Sequence, residues 1–108
     1  MPEIYNHLLP DTHYLSTIQN AINNQTILRI EYENASEETT LRDVEPIGLT
    51  FYSLNWHMIA WCHLRKDYRD FRISRIRQLK DTMMPFRKSD HVSLHEFLKQ
   101  METSGQTH

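Results

Sequence analysis

Asn55-Trp56-His57-Met58-Ile59-Ala60-Trp61-Cys62-His63-Leu64-Arg65-Lys66-Asp67-Tyr68-Arg69-Asp70-Phe71-Arg72-Ile73 reads as two strands and the turn between them. Met58, Ala60, Cys62 and Leu64 alternate with His57, Ile59, Trp61 and His63. An extended chain puts these sets on opposite faces, and both sets are largely apolar, which marks a central strand. Lys66-Asp67 falls at a hairpin tip, and Tyr68–Arg75 returns with Phe71 and Ile73 on one parity and Arg72 on the other.

Upstream, Thr39 to Tyr52 makes a long strand interrupted by Pro46 and Gly48. Proline donates no N–H and glycine accepts unusual dihedrals, so a bend or bulge is expected there. Before it, Leu28, Ile30 and Tyr32 alternate with Arg29, Glu31 and Glu33, a half-buried strand with Ile27 as the apolar residue on its polar side. The period changes again at Tyr14, Leu15, Ile18, Ala21 and Ile22, one helical stripe opened by Asp11 or Thr12 after Pro10 and stopped by Asn23-Asn24. Downstream, Ile76–Lys80 is a fifth strand that Met84-Pro85 breaks. Ser93 caps a short helix carrying Leu94, Phe97, Leu98 and Met101, with Glu96 in the capping-box position. A helix, about five short strands and a second helix make a mainly β chain, a small barrel or sandwich. Residues 1–11 are expected to be a lead-in, 12–84 the domain, and 85–108 an extension carrying the short helix.

The 108 residues, 39% hydrophobic and 24% charged, suffice for one compact core. A single cysteine, Cys62, excludes an internal disulfide and a cysteine-only zinc cage, and in an apolar strand it is expected to be buried and inert. No run approaches a membrane span and no charged-then-apolar leader is present, so a cytoplasmic protein is expected. His91 and His95 stand four apart without a third ligand nearby, so no metal site is expected. There is no glycine-rich phosphate loop, GxSxG or HExxH, and no cofactor or enzymatic activity is expected.

The net charge of −2 conceals a split. Residues 65–80 carry seven basic side chains, five of them arginines, against Asp67 and Asp70, while residues 31–45 carry six acids against Arg42 alone. Segregation of this kind builds local potentials. Arg65, Arg69, Arg72, Arg75 and Arg77 are interleaved with Tyr68 and Phe71, a pattern that offers guanidinium forks to phosphates and rings to bases. Phe71 and Ile73 also read as core, and Arg75, on the parity of Phe71, reads as an inward residue that pairs with an acid such as Glu45.

Taken together, Val44-Glu45-Pro46-Ile47-Gly48-Leu49, Asn55 to Cys62 and Arg65 to Ile76 resemble the WYL domain, whose Trp-Tyr-Leu triplet stands here as Trp56-His57-Met58. The resemblance spans about residues 12–84. It implies a small five-stranded barrel related to the SH3 and Sm folds, with an N-terminal helix and a short C-terminal helix. It implies a regulatory, ligand-binding module of a bacterial transcriptional regulator that takes single-stranded nucleic acid or a nucleotide. Carried across, the binding positions are Trp56, His57, Arg65, Arg69, Arg72 and Arg75, and the aromatic pattern adds Tyr68. A helix-turn-helix domain precedes such modules in full-length regulators. The one helix before the strands is too few to supply it, so an excised sensor domain is expected. Two positions depart from the family: His57 replaces a tyrosine, and Ser74 stands where an aspartate is common. The competing reading is a protein-interaction module without a small ligand, in which the acidic stretch of one copy meets the basic stretch of another in a homodimer.

Overall fold

The computed structural model describes residues 12–106. The expected lead-in and the Asp11 cap lie outside them. Helix α1 (Thr12–Asn24) is followed by β1 (Thr26–Glu33), β2 (Thr39–Tyr52), β3 (Asn55–Cys62), β4 (Asp67–Arg72), a 3-10 turn (Ile73–Arg75), β5 (Ile76–Pro85) and α2 (Leu94–Gln106). The strands form one antiparallel sheet in the order β4-β3-β2-β1-β5. Among the described residues no helix is long and apolar enough to cross a membrane.

The long strand β2 is the corner of this sheet. Its first half, through Val44, pairs with β1, and its second half, from Val44, pairs with β3. The register slips between Pro46 and Gly48, where the sequence predicts a bulge. Ile47 is the extra residue, and the added twist lets one strand serve both halves.

The barrel expected from the sequence is corrected to a curled, open sheet: β4 and β5 are its edges, and no ladder joins them. The three-residue 3-10 turn between them covers only about 6 Å of rise, so the two edges must approach at that end. Tyr32 bridges the gap. Its ring meets Phe71 edge-on at 5.1 Å, and its hydroxyl accepts the Arg72 N–H at 3.0 Å. The same turn ends β4 at Arg72, three residues before the expected end at Arg75.

The core lies on the concave side. Leu28, Ile30, Val44, Met58, Ala60, Cys62, Phe71, Ile73 and Ile76 pack with Ile18 and Ala21 of α1. A 13-residue helix is marginal alone, and α1 is held by burying this stripe across β1, β2 and β5. Cys62 is free and fully buried, as expected. The other face of β2–β3–β4 is covered from beyond β5. Ser93 Oγ accepts the Glu96 N–H at 3.1 Å to cap α2, and Leu94 sits so close over Gly48 that a Cβ there would lie 2.5 Å from Leu94 Cδ2. Glycine at position 48 is therefore a packing requirement of α2.

Candidate functional site

At one end of the concave side, Arg42, Arg65, Arg69 and Arg75 line a single cavity of about 320 Å³, bordered by Tyr32, Asn34 and Phe71. Each arrives from a different element. Arg42 is on β2, two residues before the buried Val44 and on the same parity. Arg65 is in the turn after β3, Arg69 is on the edge strand β4, and Arg75 closes the 3-10 turn. Among the described residues, none of the four guanidinium groups is within ion-pair distance of a carboxylate.

Arg42 is the most constrained of them. It is 8% exposed, its Nε donates to Thr40 Oγ1 at 3.0 Å, and its Nη1 reaches only Cys62 Sγ at 3.9 Å. A guanidinium is costly to bury without a counter-charge, so this one suits an anion supplied from outside. Asp70 borders the cavity, but its carboxylate is occupied: Oδ1 accepts from His57 Nδ1 at 2.6 Å and Oδ2 accepts the Tyr52 hydroxyl.

The seven side chains singled out in the sequence do not converge. Arg65, Arg69 and Arg75 meet in the cavity; the other four do not line it. Trp56 is half-buried against the core, edge-on to Phe51 at 5.3 Å. His57 is 5% exposed on the opposite face, stacked on Tyr52 at 3.9 Å, and its Nε2 is buried without a partner among the described residues. Arg72 pairs with His57 across β3–β4. Burial and the hydrogen bond to Asp70 push the Tyr52 phenol up to about 12, with the charge of Arg72 opposing the shift.

Tyr68 belongs to a second cluster, built on Glu45. This carboxylate is fully buried and accepts four hydrogen bonds: from His63 Nε2 at 2.8 Å, His91 Nε2 at 2.7 Å, and the backbone N–H groups of Arg87 at 2.9 Å and Lys88 at 3.2 Å. Burial alone would raise the pKa of Glu45, but the four donors outweigh it and hold the group below its ordinary 4.5. Val92 N–H donates to the Tyr68 hydroxyl at 3.1 Å, and that hydroxyl is hydrogen-bonded to His91 Nδ1 at 2.8 Å. The cluster straps residues 86–92 to the sheet. The expected Arg75–Glu45 pair is corrected: Arg75 lines the cavity beside Phe71, whereas Glu45, next to the core residue Val44, faces the other way and is satisfied by His63, His91 and the strap.

Sequence reasoning missed Arg42 and the strap. Arg42 did carry a signal, because a charged residue on the apolar parity of a strand faces inward. The Glu45–His91 bond spans 46 positions and left no local trace.

The WYL domain family model matches residues 13–81 of this chain. The chain belongs to the WYL domain family. It is 36% identical over 72 residues to the DNA-binding transcriptional repressor CapW of Escherichia coli (strain KTE188), covering 66% of this chain and 24% of that protein. It is 33% identical over 73 residues to the uncharacterized HTH-type transcriptional regulator YobV of Bacillus subtilis (strain 168), covering 68% and 23%. Among solved structures it is similar to proteasome accessory factor B/C (PafBC) of Arthrobacter aurescens, with a TM-score of 0.66 and 26% identity over 76% of this chain and 14% of that one. The chain thus spans about a quarter of the length of the curated relatives it matches.

Proposed function

We propose that this domain is the sensing module of a cytoplasmic bacterial transcriptional regulator, with residues 12–84 as the sensor and 85–108 as an extension, and that it binds single-stranded nucleic acid or a nucleotide. The observation that carries this reading is the convergence of Arg42, Arg65, Arg69 and Arg75 on one cavity, without a carboxylate partner among the described residues. Guanidinium forks match phosphate geometry, and the half-buried Tyr32 borders the same cavity. The relatives described as transcriptional regulators support a partner helix-turn-helix domain in a longer chain. The ligand acts by binding one conformation of that assembly better than another. No chemical step is assigned to the domain; its work is recognition.

The electrostatic homodimer draws less support. Of the acids it would need, Glu33 is paired with Arg77, Asp43 with Arg29, and Glu45 is buried.

Titrating labelled single-stranded oligonucleotides by fluorescence anisotropy at several salt concentrations tests the reading. Neutralising about three phosphates gives a slope of log affinity against log salt near −2, and Arg69→Ala reduces it by about 0.7. Flat anisotropy at low salt, or an Arg69→Ala variant that binds as the parent does, contradicts it.

A further inference from the structure

A second cavity, of about 300 Å³, lies on the other side of the β3–β4 turn. Trp61 and Lys88 form its wall, Lys66 and Arg87 its rim, and Glu45 and His63 its floor. The floor does not attract cations, because all four acceptor positions of Glu45 are filled by donors. Those same bonds fix the backbone of Arg87 and Lys88 at the cavity, so the buried acid positions two bases. Lys88 Nζ stands 4.6 Å over the Trp61 ring, pairing a cation with an aromatic face. Among the described residues, Lys66 and Arg87 have no carboxylate within ion-pair distance, and Lys88 meets only the exposed Asp90.

The two cavities share no lining residue but meet at one turn. Arg65 lines the arginine cavity and Lys66 lines this one, and they are consecutive residues, about 3.8 Å apart at Cα. The turn thus carries one cation at each cavity, Arg65 at the first and Lys66 at the second. Each volume is at the small end of the range for ligand pockets, about 300–1,000 Å³.

We propose that the Trp61–Lys66–Arg87–Lys88 cavity is a second nucleotide subsite, and that one single strand occupies both cavities, its phosphates crossing the Arg65–Lys66 turn and one of its bases lying against Trp61. This rests on the reading that the arginine cavity binds nucleotides, and it selects a strand over an isolated nucleotide as the ligand. A duplex does not fit, because its bases are stacked and paired away from pockets of this size.

The test titrates thymidine 5′-monophosphate and thymidine oligonucleotides of increasing length, up to about eight nucleotides, against the parent and two double variants. Lys66→Ala/Arg87→Ala alters two exposed side chains of the second subsite, and Arg69→Ala/Arg75→Ala alters the first. In the parent, affinity climbs with length by about tenfold or more as the second subsite is engaged intramolecularly. Lys66→Ala/Arg87→Ala removes that gain and leaves monophosphate binding unchanged, whereas Arg69→Ala/Arg75→Ala weakens both. In a Trp56→Phe background, where Trp61 is the only indole, the oligonucleotide quenches the emission and the monophosphate does not. A length gain that survives Lys66→Ala/Arg87→Ala overturns the second subsite. So does the absence of any gain while monophosphate binding stays dependent on Arg69 and Arg75, a result that leaves the arginine cavity standing. A poly-glutamate peptide that binds as tightly as the oligonucleotide, with no change in Trp61 emission, replaces the strand by an acidic protein partner. Binding of no ligand at all overturns both readings.

Discussion

Glu45 shows how much one side chain organises here. It is fully buried, and its four donors come from the β3–β4 turn and from the strap beyond β5. Replacing it with alanine leaves two imidazole N–H groups and two backbone N–H groups without an acceptor, and an unmet buried donor costs about 1–3 kcal/mol. Glu45→Ala is therefore expected to lose about 3 kcal/mol in chemical denaturation, with early loss of protection in residues 86–92. The pH dependence follows from the depressed pKa. The unfolded chain takes up the proton first, so the contribution of Glu45 is complete well above pH 4.5 and is lost as pH falls through the lower folded value. Asp43 acts in the same direction, because the hydrogen bond from Arg29 lowers its pKa. Stability measured against pH should decline on the acid side, and the decline should be shallower in Glu45→Ala. An identical acid limb in both proteins contradicts this.

At the scale of elements, α2 and Gly48 form one packing unit. A methyl group at position 48 would meet Leu94 Cδ2 at 2.5 Å and Leu94 Cβ at 2.9 Å, so Gly48→Ala should lift α2 from the sheet at a cost of about 1–3 kcal/mol. Hydrogen exchange reads this directly: faster exchange in residues 94–102 of Gly48→Ala than in the parent. Parent-like protection in the single variant contradicts the account. Most of the strands were legible in the sequence, but β5 runs on to Pro85, paired with Thr26, where a break at Met84-Pro85 was expected. The alternation of Leu28, Ile30 and Tyr32 gave β1, and Pro46 with Gly48 marked the bulge, because period and backbone chemistry are local properties. The 3-10 turn was not legible. Ile73-Ser74-Arg75 continues the strand pattern of Tyr68–Phe71, and what turns the chain is the need to cross from one sheet edge to the other. The inward side expected for Arg75 holds, beside Phe71; the expected partner does not, because Glu45 neighbours the core residue Val44 and so faces away from that side.

For the whole molecule, closure and the proposed recognition site meet at Tyr32. From β1, its ring and hydroxyl reach β4 across the gap between the sheet edges, and the residue also borders the arginine cavity. Tyr32→Phe keeps the contact with Phe71 but removes the acceptor for the Arg72 N–H. A loss of about 1 kcal/mol, seen as a lower urea midpoint with an unchanged slope, is the expected result. An unchanged midpoint would show that the seam does not need the bond. The charge map was only half readable from sequence. A basic stretch over 65–80 is visible as composition, but that composition does not separate Arg65, Arg69 and Arg75, which share a cavity, from Arg72, which sits on the opposite face. Nor does it show that Arg42, from the acidic stretch, joins them.

The arginine cavity can be observed one guanidinium at a time. Correlation spectra of the arginine Nε–H groups, recorded while thymidine 5′-monophosphate is added, should shift the resonances of Arg42, Arg65, Arg69 and Arg75 together along one saturation curve and leave Arg29, paired with Asp43, in place. Shifts confined to arginines outside the cavity, or four resonances that do not move, would contradict the binding site proposed for this domain.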